Sequence, residues 1–302
     1  MEIQWSLVFF AAFICWGAGT YVAAVLFHEL LKAPGCIVRP AFAVGAAAVL
    51  VGAVASMTHL GHLERIFGVL SNPGSGIFIE GLSSALLVAV VLVYLIAVAR
   101  KASSVTLRVL AIVGIVPALA VIFAVGSSYL MVARPAWDVM ALPLVSITAA
   151  LSMGSVPVLA IFALTAGRAK NTPDVAATSK RMGAAAAALI VAQALAVVAY
   201  TVSVAVAPYQ DSTRSAVRMV SGDMALLFWG LVVFLGIVVP FAVVLIRNRR
   251  GAAASISGEA ASRSAVAWEL VVAVACMLVA VIAFRVIMFS LGSSIVDFGF
   301  TL

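Results

Sequence analysis

The chain is written as long unbroken apolar runs separated by short polar segments. Runs of about 20 residues or more, enough to cross a roughly 30 Å hydrocarbon core as helix, occupy eight stretches: 5–31, 41–63, 75–99, 109–133, 142–166, 182–206, 223–246 and 265–291. Within each run the apolar positions are continuous rather than alternating. That selects helices over barrel strands, whose period of two would show. The pattern predicts an all-α integral membrane protein, a bundle of eight transmembrane helices forming one domain over residues 1–302. No segment between runs is long enough to bury a core of its own, and the short connections make consecutive helices antiparallel neighbours.

Composition supports this reading, with 65% hydrophobic and 10% charged residues, far from the balance of a soluble domain. A net charge of +7 would suit nucleic acid if it were clustered, but the basic residues are spread among the connections. The first, third, fifth and seventh connections hold 13 Lys and Arg, the second, fourth and sixth hold 4, and the tails none. Such a bias places the odd connections in the cytoplasm and both termini outside, as in a multi-pass protein of a bacterial inner membrane with its termini in the periplasm. Membrane lipid is then the expected surrounding, and nucleic acid is not a partner.

The leading MEIQWSL carries an acid where a signal peptide carries bases, so the first run reads as a retained span. The two longest connections, GRAKNTPDVAATSKR and RNRRGAAASISGEAASR, read as flexible linkers. Trp5, Trp137 and Trp268 fall near run ends as interfacial anchors, whereas Trp16 and Trp229 lie farther in, as packing residues. Cys15, Cys36 and Cys276 are too scattered for a metal-ligand spacing and read as small apolar residues.

Chemistry concentrates in MTHLGHLERIFGVLSNPGSGIFIE, residues 57–80. His59 and His62 are spaced i, i+3 on one helical face at the outer end of the second run, and Arg65 extends that face by a turn. Asn72 and Ser75 offer helix caps, while Pro73, Gly74 and Gly76 separate two helices. Glu80 then lies about 8 Å below the outer boundary, and Arg285, counted back from the end of the last run, about 9 Å below it. An acid and an arginine at one level invite pairing, directly or through a polar ligand. Tyr129, Arg134, Trp137 and Asp138 can join the same layer. Structural roles stay open for each: a helix dipole for Glu80, snorkelling for Arg285, satisfied interfacial hydrogen bonds for the histidines.

Spacing tests two cofactors. Haem held by two histidines needs them on opposite sides of the porphyrin, but His59 and His62 share a face and His28 sits at the other end of the first run. A metal held by His59, His62 and Glu80 lacks a further ligand. A quinol suits the pocket better: its tail lies against apolar helices, and its ring oxygens meet donors and proton acceptors such as Glu80 and His59.

The motif ASMTHLGHLERIFGVLSNPGSGIFIEGLSS, residues 55–84, resembles the membrane-anchor subunits of dimethyl sulfoxide reductase-type molybdoenzymes, relatives of the polysulfide and nitrite reductase membrane subunits. In those proteins an HLG, an Arg, an Asn-containing turn and a Glu opening the third span follow one another. IFAVGSSYLMVARPAWDVMALPLVSITAALSMGSVP and AFRVIMFSLG are more weakly similar. The resemblance implies a haem-free eight-helix subunit that oxidises menaquinol near the outer face. Electrons would pass to a four-cluster ferredoxin-like iron-sulfur subunit and on to a molybdopterin catalytic subunit, so iron-sulfur clusters and molybdopterin belong to the partners. His59, Gly61, Arg65 and Glu80 fall on the quinol-site motif, and Arg285 matches an arginine of the last span. His62 stands where the family has a small residue, and the His-to-Glu spacing is one residue shorter. The reading from another class is a small-solute or ion transporter with Glu80 and Arg285 as its polar site.

Overall fold

The computed structural model describes residues 3–58, 71–165, 175–257 and 263–292. Their regular structure is entirely helical: α1 (Trp5–Leu31), α2 (Val38–Met57) after a 3-10 turn, α3 (Gly76–Ala99), α4 (Ser104–Val113), α5 (Ile115–Ser127), α6 (Ala141–Thr165), α7 (Val175–Val206), α8 (Gln210–Val220), a π-helical segment (Leu227–Val238) continuing into α9 (Val239–Ser257), and α10 (Arg263–Leu291). Counting α4 with α5 and the π segment with α9, eight helices are long and apolar enough to cross a membrane.

The central post is α1, which packs on α2, α5, α6 and α10. Lipid tails offer helices no hydrophobic reason to associate, so close backbone approach must supply the contact. Gly19 and Gly154 provide it between α1 and α6: a Cβ at Gly19 would strike the Ala150 carbonyl oxygen, and one at Gly154 the backbone of Gly19 and Thr20. In α3 the outward residues Leu82, Leu86, Val93 and Ile96 are exposed, as a lipid-facing surface requires.

The starts of α1, α3 and α6 gather at one end of the bundle with the ends of α5 and α10, here termed the terminal face. Gly76 meets Ser128 there, and the Trp137 indole N–H donates to the Met288 carbonyl at 2.7 Å. Ser75 caps α3 as its position predicts, accepting from the Phe78 N–H at 3.1 Å.

Several boundaries differ from the hydropathy pattern, each for a local reason. The fourth span is interrupted where α4 gives way to α5 at Gly114, one turn before Pro117, which has no N–H to bond back to Val113. The Tyr21 ring packs against Gly114 and its hydroxyl donates to the Ala111 carbonyl at 2.9 Å. Both expected linkers are partly helical: α7 starts at Val175, taking in VAATSKR, and α9 runs on to Ser257. The sixth connection folds as α8, whose buried Ser212, Ser215, Ala216 and Met219 recur at helical spacing. Those residues are too polar for a hydropathy scan to register.

The tryptophans also divide differently. Trp5 and Trp268 are exposed near helix starts, as anchors should be, but Trp137 is buried. Trp229, expected in the packing, is exposed early in the π segment, its indole N–H donating to the Val220 carbonyl at 2.8 Å.

Candidate functional site

Glu80 lies about one turn into α3, close to the terminal face, and is buried. Its Oε1 accepts from the Ser128 hydroxyl at 2.6 Å, while Ser84 donates to the Glu80 backbone carbonyl at 2.7 Å. Gly76 makes the first contact possible. A Cβ there would sit 2.8 Å from Ser128 Cβ, so any side chain would push the end of α5, and Ser128 with it, away from the carboxylate.

Arg285 enters from α10 and is 3% exposed. Its Nη2 donates to the Ser146 hydroxyl of α6 at 3.1 Å, and its Nη1 lies 3.6 Å from Met288 Sδ. The guanidinium stands 5.3 Å from the centre of the Tyr129 ring, where the π face favours a cation. Tyr129 meets Trp137 and Phe289 edge to face at 5.5 and 5.7 Å. Arg134 covers the Trp137 ring at 4.6 Å and donates to the Gly292 carbonyl. Two aromatic rings in contact, Tyr129 and Trp137, thus lie between the cations Arg285 and Arg134.

Ser128, on Glu80, and Tyr129, under Arg285, are consecutive residues, yet no carboxylate lies within 4 Å of Arg285 among the described residues. Glu80 and Arg285 are each held by a hydroxyl from another helix instead. A small cavity of about 20 Å³, room for about one water, adjoins Arg285 and is lined by Cys15, Ser146, Gln193, Val232 of the π segment and Phe284. Gln193 accepts from the Ser152 hydroxyl behind it. That cavity is too small for a quinone ring.

Of the candidates read from sequence, Glu80, Arg285, Tyr129, Arg134 and Trp137 share the layer, and Asp138 is exposed outside it. His59, Gly61, His62 and Arg65 lie outside the described residues. Among the described residues no group of three His, Cys, Asp or Glu could hold a metal. His28 is at the other end of α1, its Nδ1 2.7 Å from the Ala33 carbonyl oxygen.

Ser128 and Ser146, which hold the acid and the base, are not legible in the sequence. Hydroxyls inside apolar runs usually bond back to their own helix, as Thr20 does to the Trp16 carbonyl at 2.8 Å. Nothing in spacing separates those from the two that reach across. Cys15, expected as filler, is buried beside Arg285 and lines the cavity.

Eight apolar helices enclosing a polar layer at one end define a multi-pass membrane protein. The chain belongs to the NrfD polysulphide reductase family, whose family model matches residues 1–284, a family of membrane subunits of molybdoenzyme complexes. The match ends one residue before Arg285, so the place of that residue in the layer rests on its contacts. No curated protein matches the chain.

Proposed function

We propose that this chain is the membrane anchor of a molybdopterin oxidoreductase complex and that it binds and oxidises menaquinol at the terminal face. The observation that carries the reading is the hydroxyl-held pair. Glu80 on Ser128 and Arg285 on Ser146 share one layer without forming an ion pair, so neither charge is neutralised by the other. Family membership supports it, since NrfD proteins are quinone-interacting membrane subunits.

Oxidising a quinol to a quinone releases two protons and two electrons. The Glu80 carboxylate takes one proton from a ring hydroxyl and His59 the other, while Arg285 donates to the second ring oxygen and steadies the charge that develops there. Tyr129, packed under Arg285, supplies an aromatic wall. His62, Gly61 and Arg65 belong to the same sequence motif as Glu80 and are counted among the quinol-binding residues in this reading. The electrons leave to an iron-sulfur subunit docked on this face and continue to the molybdopterin subunit. In this reading that face lies in the periplasm of a bacterial inner membrane with both termini outside, an orientation that the Lys and Arg bias supports.

The test is a Glu80→Gln variant that still assembles with its partners. It should lose quinol-dependent reduction of the iron-sulfur subunit, and wild-type turnover would overturn the reading. The transporter reading has less support, because a transporter's binding groups belong near the midplane, and Glu80 and Arg285 sit about a turn or two from the helix ends.

A further inference from the structure

The seventh span carries a second buried arginine, which the proposed quinol site does not use. Arg247 lies in α9 at the end of the bundle opposite Glu80 and is 5% exposed. Its Nη2 donates to the Ser179 hydroxyl of α7 at 2.8 Å, and its Nη1 reaches the side-chain oxygen of Asn248 at 3.5 Å. No carboxylate lies within 4 Å of it among the described residues. Two acids at this end are committed elsewhere, Glu29 to Arg108 and Glu269 to Arg250, each at 2.6 Å.

A guanidinium is a planar fork of N–H donors that no protein environment deprotonates. Ser179 and Asn248 satisfy only part of that fork with neutral acceptors, and a buried cation with no counter-charge is costly. The arrangement therefore asks for an anion. Ser179 and Asn248 are only half-buried, so the fork stands at the rim of the α7–α9 pair rather than in its centre. Lys180, Arg181 and Arg249 are exposed around it and make this rim strongly basic. Gly183 holds the two helices close here, since a Cβ on it would collide with the Asn248 side chain.

We propose that Arg247 and Ser179 form a binding site for the phosphodiester of an anionic phospholipid headgroup, seated between α7 and α9. Geometry favours a lipid over a soluble phosphate. The rim adjoins apolar surface that acyl chains can cover, Ile246, the residue before Arg247 in α9, being exposed, and basic clefts between membrane helices suit anionic headgroups. The guanidinium fork matches two phosphate oxygens, and the Ser179 hydroxyl can donate to a third.

The test uses the full chain, purified and stripped of lipid in a non-ionic detergent, with phosphatidylglycerol as the probe. Phosphatidylglycerol should raise the melting temperature and stay bound in native mass spectrometry, whereas phosphatidylcholine and inorganic phosphate should do neither. In Arg247→Gln, retention should fall about tenfold or more, the loss of a charged hydrogen-bonded pair. Arg250→Gln, a change at an exposed arginine of the same helix, should keep it. If Arg247→Gln does not assemble, Ser179→Ala carries the test, with retention reduced several-fold. Equal retention in wild type and in the site variants, or equal stabilisation by phosphatidylcholine, would overturn the proposal. An equal effect of inorganic phosphate would overturn the lipid assignment. None of these outcomes depends on quinol turnover.

Discussion

The two buried arginines stand at opposite ends of the bundle and share a first partner type, a serine hydroxyl on a neighbouring helix. Their wider surroundings differ. Around Arg285 are a buried acid held by its own hydroxyl, an aromatic ring beneath the guanidinium and a water-sized cavity. Among the described residues Arg247 meets neutral acceptors alone, with further bases exposed beside it. The first setting offers a ligand both a proton acceptor and a cation; the second offers positive charge alone. A buried arginine in a membrane protein thus marks a site, and its neighbours say which chemistry the site performs.

Substitutions at the two ends should separate these roles. The largest effect belongs to Glu80→Gln, which keeps the shape and the Ser128 contact but cannot take up a proton. Quinol-dependent turnover should fall by about 100-fold or more, the usual weight of a positioned general base, while Glu29→Gln at the other end leaves turnover unchanged. Steady-state assays on assembled complexes check the pair.

Next is the fold itself. Gly154→Leu would force α1 and α6 apart where their backbones touch. Overpacking of this kind costs on the order of 1–3 kcal/mol or more, so the protein should lose yield and melting temperature at both ends alike, unlike either arginine variant.

Ser128→Ala removes the hydroxyl that donates to the Glu80 carboxylate. Turnover should drop roughly five-fold, in line with a lost hydrogen bond of about 1 kcal/mol, with assembly intact. The pH optimum should move with it, a readout that a packing role would not shift.

The smallest effect is at the surface of the terminal face. Arg218 donates to Asp223 at 3.0 and 2.7 Å and holds its carboxyl below the usual carboxylate range. A depressed value adds stability above the unfolded range and loses it as pH falls through the folded one. Asp223→Asn should therefore lower the melting temperature slightly at neutral pH, with the difference vanishing in acid. Because the pair is exposed, turnover should not change.

Much of the architecture was legible because lipid imposes it. Eight spans followed from run length, and the level shared by Glu80 and Arg285 followed from counting residues inward from the run ends. What escaped depended on contacts between helices. Ser128 reaches Glu80 only because Gly76 lets two helix ends meet, and neither residue differs on its own from other small residues in the runs. The α8 helix escaped because its buried face is serine and alanine as much as methionine. Trp137 was misplaced as an anchor because a tryptophan near a run end reads alike whether it faces lipid or, as here, a ring and a carbonyl on neighbouring segments.

The central claim is that a quinol sits against Arg285 and Glu80, and equilibrium binding of a menaquinol analogue tests it most directly. The account predicts affinity about tenfold or more weaker in Arg285→Met than in wild type, with Arg247→Met indistinguishable from wild type. Equal affinity in wild type and Arg285→Met, or an equal loss in both arginine variants, would contradict it.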